Sequence, residues 1–227
     1  MHIPDGFLSP EVAGVTAVAT AAAVGYGLKT ASDALDERRV PLLGVTGAFV
    51  FAAQMLNFPV AGGTSGHFLG AALAAILLGP WLACLTMAVV ISLQAFVFAD
   101  GGITALGANV LNMGVIGALL VGGLMLATRR ALPKSRMVLL AITGIGAWLA
   151  VMAGATATSV ELAISGTVPL NTVLPAMLGV HALIGIGEAV VTAAAVAAVL
   201  AARPDLIAVS DLTDAELTMP APVVKGA

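Results

Sequence analysis

Residues 67–99 read HFLGAALAAILLGPWLACLTMAVVISLQAFVFA and carry no aspartate, glutamate, lysine or arginine. As a single α-helix this stretch would be about 50 Å long, whereas the hydrocarbon core of a bilayer is roughly 30 Å thick. Gly79 and Pro80 interrupt it, and both residues commonly mark helix boundaries. The stretch therefore predicts two membrane helices, one short and one of ordinary length, that meet at Gly79-Pro80.

The composition of the whole chain is that of a membrane protein. Of its 227 residues, 60% are hydrophobic and 9% are charged, whereas about a quarter are charged in soluble domains. The single cysteine, Cys84, excludes a disulfide framework and a cysteine-built metal site. The first residues lack the basic and apolar regions of a cleaved signal peptide, so we expect Met1 to be the mature N-terminus. The chain is predicted to be an all-α, polytopic integral membrane protein.

Apolar runs between helix breakers predict seven transmembrane helices within one membrane domain, residues 1–202. The predicted helices are 11–30, 40–56, 67–78, 81–99, 106–128, 137–161 and 172–202. Residues 203–227 are more polar and more acidic, and we predict that they form a disordered cytoplasmic tail.

The basic residues fix the number of spans and their orientation. With seven spans, the basic residues that follow the first, fifth and seventh helices all lie on one side, as the positive-inside rule requires. With six, the basic cluster at residues 129–136 would lie outside. We therefore expect a multi-pass protein of the bacterial cytoplasmic membrane, with its N-terminus outside and its C-terminus in the cytoplasm. The loops 57–66, 100–105 and 165–171 then share the outer side with the N-terminus.

The first residues, Met1-His2-Ile3-Pro4-Asp5-Gly6, form a candidate chelator. The Met1 α-amine, the His2 backbone nitrogen and His2 Nδ1 can close two fused rings around one ion. Three nitrogens in a plane suit Ni²⁺, Cu²⁺ or Co²⁺ better than Zn²⁺ or Mg²⁺. His67 follows a glycine-rich outer loop, where its imidazole can supply a fourth donor. The alternative is that both are ordinary interfacial histidines, but two of the three histidines on one face favour a metal site.

Other polar residues fall near the outer ends of the helices. We single out Asn57, Ser65, Gln94 and Asp100 as candidates that support metal ligands through hydrogen bonds. The competing interpretation is structural, since buried amides also join helices and Asp100 can lie in a solvated loop.

Two further features lie within the helices. His181 and Glu188 share one face of the last helix, where they can form either a proton relay or structural hydrogen bonds. Gly44, Ala48 and Ala52 form a small-residue face on the second helix, which is a candidate docking surface for a partner subunit.

The combined motifs resemble the CbiM/NikM family, the substrate-binding membrane components of energy-coupling factor transporters for cobalt and nickel. The resemblance lies in residues 1–10, in Gly62-Gly63-Thr64-Ser65-Gly66-His67, and in Asp100-Gly101-Gly102 with Asn109 and Asn112. It implies a six-helix core plus an extra N-terminal helix whose leading residues dip into the protein. It also implies a nearly planar site made of the Met1 amine, the His2 backbone and ring nitrogens, and the His67 imidazole.

The resemblance implies partners as well. These are a transmembrane scaffold subunit and two ATPase subunits, and the need for a small accessory membrane subunit stays open. The chain has no Walker motif, so we expect no ATP site and no enzymatic activity in it, with Ni²⁺ or Co²⁺ as its transported substrate. It also has no extended basic patch that would bind nucleic acid.

Two alternatives to this importer component remain open. One is a stand-alone, proton-coupled secondary carrier that uses His181 and Glu188. The other is an intramembrane enzyme in which a metal held by His2 and His67 acts as a Lewis acid, but four planar nitrogens leave only weak axial positions for substrate. The sequence favours neither Ni²⁺ nor Co²⁺.

Overall fold

The computed structural model describes residues 1–31, 39–128, 131–133 and 135–208. Its helices are α1 (Pro10–Ala31), α2 (Arg39–Gln54), α3 (Ala71–Leu78), α4 (Pro80–Phe98), α5 (Leu106–Val110), α6 (Ile116–Thr128), α7 (Arg136–Ile164) and α8 (Leu170–Ala202). A π-helical turn, Leu111–Val115, joins α5 directly to α6, and a 3₁₀ turn, Pro204–Leu206, follows α8. Two short antiparallel strands, β1 (Phe58–Pro59) and β2 (Ser65–Gly66), precede α3.

Each of the seven predicted helices has a helical counterpart in the structure, but they differ in length. Five are long and apolar enough to cross a membrane: α1, α4, the continuous α5–α6 segment, α7 and α8. Helix α2 is apolar but has 16 residues. Helix α3 has eight residues, about 12 Å, which is too short to cross a bilayer alone. A mainly α-helical architecture with five helices of membrane-spanning length is confirmed, with one short β1–β2 pair that the sequence did not predict. Seven spans and an outer N-terminus stay predictions.

Helix α3 lies in the core. All eight of its residues are buried, and it packs against α2, α4, α6, α7 and α8. The sequence predicted a helix from residue 67, but the helix begins four residues later because Gly70 has a left-handed backbone with φ +81°. At the other end Gly79, with φ +83°, closes α3 and Pro80 opens α4. The predicted break at Gly79-Pro80 is confirmed.

Small residues allow α1 to approach α5 closely. A Cβ atom added to Gly107 would lie 2.5 Å from Ala17 Cα, and Thr20 Oγ1 donates a hydrogen bond to the Gly107 carbonyl at 2.7 Å. On α2, by contrast, Gly44, Ala48 and Ala52 are all exposed. The small residues of α1 therefore serve packing within the chain at this crossing, while the small-residue face of α2 has no covering element among the described residues.

The chain beyond α8 turns back onto α3. Ile207 is buried, and the Ala208 backbone N–H donates to the Ile76 carbonyl at 3.1 Å. The first six residues of the predicted tail thus pack against the membrane domain. The rest of the tail, 209–227, and the basic residues at 38, 129, 130 and 134 lie outside the described residues.

Candidate metal centre

The N-terminal segment enters one end of the helix bundle. Met1, His2 and Ile3 are 1%, 4% and 0% exposed. The Ile3 N–H donates to Asn109 Oδ1 at 2.8 Å, and the Ile3 carbonyl accepts from Asn109 Nδ2 at 3.1 Å and from the Gly102 N–H at 2.8 Å. The Asn109 side chain thus binds the backbone of the segment as a neighbouring β-strand would, which fixes its register.

The residues that follow are held at the same end of the bundle. Asp5 Oδ1 accepts from the Thr104 N–H at 2.7 Å and from Thr104 Oγ1 at 2.5 Å; these bonds lower the pKa of the Asp5 carboxyl. Thr167 Oγ1 donates to the Phe7 carbonyl. The N-terminus therefore meets the loop before α5, the loop before α8 and, through Ser65, the loop before α3. The predicted meeting of these loops with the N-terminus is confirmed.

The two terminal nitrogens converge on Ser65. The Met1 amine lies 2.6 Å from the Ser65 carbonyl oxygen and 2.9 Å from Ser65 Oγ, which also accepts from the His2 N–H at 3.1 Å. Burial lowers the pKa of the Met1 amine from 8.0 to about 4. A buried amine with so low a pKa is neutral at pH 7 and carries a lone pair that can bind a metal ion.

His2 and His67 lie against each other. The rings of His2 and His67 are stacked, with centroids 4.7 Å apart and planes 24° from parallel. His67 Nδ1 donates to the Phe68 carbonyl at 2.7 Å, because a carbonyl only accepts. His67 Nε2 is therefore unprotonated, and it is buried without a hydrogen-bond partner. Burial holds the pKa of His67 well below 6.5, so this lone pair stays available for a ligand.

The His2 ring has a different partner at each nitrogen. Its Nε2 lies 3.1 Å from Gln94 Oε1, which accepts the Nε2 hydrogen and leaves a lone pair on Nδ1. That Nδ1 lies 3.2 Å from Asp100 Oδ1. Burial, followed by the nearby terminal amine, lowers the pKa of His2 to about 4. Gln94 thus orients the ring through Nε2, as hydrogen bonds to the non-ligating nitrogen orient metal-binding histidines. Asp100 faces Nδ1, the nitrogen that the chelate would use.

The structure brings together most of the residues that the sequence singled out. Ser65, Gln94 and Asp100 contact Met1 or His2 directly, and Asn57 Nδ2 donates to Asp100 Oδ2 at 3.1 Å. Within the described residues, no group of three or more histidine, cysteine, aspartate or glutamate side chains could hold a metal. A metal site at this position would therefore need donors of other kinds, and the two imidazoles and the terminal nitrogens are the groups that the structure brings together here.

His181 and Glu188 make separate contacts. His181 Nδ1 donates to the Met177 carbonyl at 2.8 Å. The Glu188 carboxylate accepts from the backbone N–H groups of Leu69 and Gly70 at 2.6 and 2.7 Å. Glu188 therefore binds the segment that links His67 to α3.

Two buried contacts were not foreseen from the sequence. Gln54 Nε2 donates to the Leu69 carbonyl at 2.6 Å. Asn112, in the π-helical turn, donates to Glu161 Oε2 at 2.6 Å and to Thr158 Oγ1 at 3.2 Å. The available signal was a carboxylate, Glu161, inside an otherwise apolar helix, since such groups need a partner.

The close approach of Gly102 to the N-terminal segment allows a direct test. A Cβ atom at this position would overlap the Asp5 backbone nitrogen and would lie 2.7 Å from the Pro4 carbonyl carbon. We expect Gly102→Ala to displace the segment and to weaken Ni²⁺ binding at least tenfold, about 1.4 kcal/mol. Gly123→Ala, where a Cβ would meet nothing within 4 Å, is the control for titrations of the purified proteins. Equal affinities would show that the segment does not form part of the site.

Comparison with known proteins identifies the family. Residues 2–206 match the family model CbiM, described as "Cobalt uptake substrate-specific transmembrane region". A protein of Haloquadratum walsbyi named for metal transport is 43% identical over 209 residues, 91% of this chain and 93% of that protein. The fused nickel transport protein NikMN of Rhodobacter capsulatus is 37% identical. The match covers 92% of this chain and 64% of that longer protein.

The fold is also similar to a solved structure. The crystal structure of a truncated transition metal transporter superposes with a TM-score of 0.81 at 34% identity, covering 88% of this chain and 99% of that one. The family match spans nearly all of the described residues, including His2, His67 and the loops that surround them. The chain belongs to the CbiM family and is a multi-pass membrane component of cobalt or nickel transport.

Proposed function

We propose that the chain is the metal-capturing subunit of an ATP-driven importer of the energy-coupling factor type for Ni²⁺ or Co²⁺. It binds the ion from outside through the Met1 amine, the His2 backbone nitrogen and the His2 imidazole, and His67 completes the site. The observation that carries this proposal is the partnerless lone pair of buried His67 Nε2 in a ring stacked on His2. Other buried atoms of the described residues also lack partners, His181 Nε2 among them, but His67 Nε2 belongs to the ring that stacks on His2, whose Nδ1 lacks a partner as well.

The chelate explains the contacts of Ser65. The His2 N–H is bonded to Ser65 Oγ at 3.1 Å, so binding of a metal to that nitrogen requires loss of the amide hydrogen and of this bond. Ser65 also holds the Met1 amine. The residue therefore gathers both terminal nitrogens before the ion arrives, which lowers the ordering cost of binding.

Orientation and partners form part of the same proposal. Seven spans, with the N-terminus outside and the C-terminus in the cytoplasm, place the centre where it can take up external metal. A scaffold subunit and two ATPase subunits complete the importer, with or without a small accessory membrane subunit. The exposed α2 face of Gly44, Ala48 and Ala52 supports docking of the scaffold, because small residues allow close helix contact.

The decisive experiment is the metal content of the purified protein. We expect wild type to retain about one Ni²⁺ or Co²⁺ ion per chain and His67→Ala to bind at least about a hundredfold more weakly, a loss of about 2.7 kcal/mol. His181→Gln removes the remaining histidine, whose Nδ1 is bonded to the Met177 carbonyl, and should keep the metal. Full metal loading of His67→Ala would overturn the proposed site.

The buried donors also predict how binding depends on pH. The Met1 amine and the His2 ring have pKa values lowered to about 4, so both are already unprotonated at pH 7. Only the His2 amide must then release a proton, and affinity falls about tenfold for each unit by which pH drops from 8 to 6. Calorimetry in buffers of different ionisation enthalpy should detect one proton released per ion. Release of two or three would mean that the donors are protonated before binding.

A further inference from the structure

A cavity of about 590 Å³ leads from the surface to the candidate centre. Its lining includes Asp5 and Asn57, which are exposed, and His2, which is buried. Asp100 lies between these levels, with 18% of its side chain exposed. Among the described residues that line the cavity, Asp5 and Asp100 are the charged ones, and none is lysine or arginine. A cavity lined by charge of one sign concentrates ions of the opposite sign.

The backbone directs Asp100 toward His2. Ala99 ends α4 in the left-handed region, with φ +52°, where residues other than glycine are uncommon. The Asp100 N–H then returns to the Gln94 carbonyl at 3.0 Å, and Asn57 holds Asp100 Oδ2 at 3.1 Å. The remaining oxygen, Oδ1, lies 3.2 Å from His2 Nδ1.

The facing atoms of Asp100 and His2 call for a positive charge between them. His2 Nδ1 is buried without a hydrogen-bond partner, and in the tautomer that donates from Nε2 to Gln94 Oε1 its lone pair faces a carboxylate oxygen of Asp100. Two electron-rich atoms at this distance repel unless a proton or a metal cation joins them. The Asp100 carboxylate therefore lies at Nδ1, the nitrogen that the proposed chelate uses, and not at Nε2.

We propose that Asp100 is the capture ligand for the incoming cation. A hydrated divalent transition-metal ion enters the cavity, and Asp100 Oδ1 replaces one of its water molecules. His2 Nδ1 and the other nitrogens then replace further waters as the ion moves into the chelate. Asn57 keeps the carboxylate aimed at His2 during this transfer. This inference rests on the proposed function. It makes the Asp100 carboxylate the group that determines how fast the ion binds.

The test measures how fast Ni²⁺ binds, by rapid mixing of purified protein with Ni²⁺ and a competing indicator dye at low ionic strength. We expect Asp100→Asn to slow association at least tenfold and Asp100→Glu to stay within about threefold of wild type. Glu11→Gln removes one exposed carboxylate from the same end of the molecule, outside the cavity lining, and should change the rate less than threefold. Asp100→Ser provides a second loss of the carboxylate, with the same slowing expected.

The outcomes separate this inference from the proposed function. If wild type binds Ni²⁺, His67→Ala does not, and both Asp100→Asn and Asp100→Ser bind at the wild-type rate, Asp100 is not the capture ligand although the chelate stands. Equal slowing by Asp100→Asn and Glu11→Gln would mean that any surface carboxylate attracts the ion equally well, and it would overturn the inference. If wild type does not bind Ni²⁺ or Co²⁺, or if His67→Ala binds like wild type, the proposed function itself fails.

Discussion

An alanine inserted between Met1 and His2 is expected to abolish metal uptake, because it moves the terminal amine out of the position that it takes next to the His2 nitrogens in the proposed site. In the proposed chelate, the Met1 amine and the His2 backbone nitrogen belong to one five-membered ring. An extra residue separates these donors by three further backbone atoms. The new terminus, Met-Ala-His, can still chelate Ni²⁺ through its own amine, amide and ring nitrogens, but it no longer holds the terminal amine next to the His2 nitrogens beside His67. The advantage of holding donors together in one geometry is then lost.

Packing makes the same insertion costly at a second point. The Met1 side chain is 1% exposed, and its Sδ and Cε atoms lie against Gly154 of α7. Asn109 and Gly102 fix the register at Ile3. The inserted residue must therefore either push Met1 out of its site or break the bonds at Ile3.

The measurement is uptake of Ni²⁺ and Co²⁺ by cells that express the protein. An alanine inserted between Ala131 and Leu132, two exposed residues of the loop after α6, is the matched control and should support normal uptake. Both variants should reach the membrane in wild-type amounts. Uptake at the wild-type rate by the Met1–His2 insertion would rule out the proposed arrangement of the terminal amine, His2 and His67 around the transported ion.

The features that the sequence predicted depend on local patterns and on charge. The break at Gly79-Pro80 follows from backbone preferences. The meeting of the N-terminus with the loops before α3, α5 and α8 follows from the distribution of lysine and arginine. His67 was identified because it follows the glycine-rich loop that predicts irregular backbone. These inferences need no knowledge of which side chains meet.

The features that escaped prediction are bonds between a side chain and a distant backbone group. Asn109 is 106 residues from Ile3, and Glu188 is 119 residues from Leu69. Neither bond leaves a periodic signal, because a single polar residue on an apolar helix looks the same whether it binds metal, a proton or a backbone amide. The start of α3 was predicted four residues too early for a related reason. It is set by the backbone of Gly70 together with the hydrogen bond that Gly70 donates to Glu188.

Replacement of Glu188 by alanine is expected to destabilise the protein by about 2–5 kcal/mol, because it leaves two buried N–H groups, those of Leu69 and Gly70, without an acceptor. These groups belong to the segment that carries His67 into α3. Gln54 binds the Leu69 carbonyl in the same segment. The position of the His67 ring therefore depends on side chains from α2 and α8. Loss of one of them should weaken metal binding.

The milder variant Glu188→Gln distinguishes this positioning role from a proton relay. Its amide offers one acceptor oxygen where two N–H groups need acceptors, so we expect Ni²⁺ affinity at equilibrium to fall at least tenfold, about 1.4 kcal/mol. Glu161→Gln is the matched control, because Glu161 is also a buried carboxylate but binds Asn112 through a single contact that glutamine can keep. We expect less than a threefold change for it.

A proton-coupled carrier predicts a different result for the same pair of variants. If Glu188 carries protons with His181, then Glu188→Gln should leave equilibrium binding intact and abolish uptake driven by a proton gradient. The bonds of Glu188 argue against this outcome, since both of its oxygens accept from backbone N–H groups. His181 Nδ1 is bonded to the Met177 carbonyl, and its Nε2 is buried without a partner. Binding titrations and uptake assays with and without an uncoupler, on the same preparations, decide between the two roles.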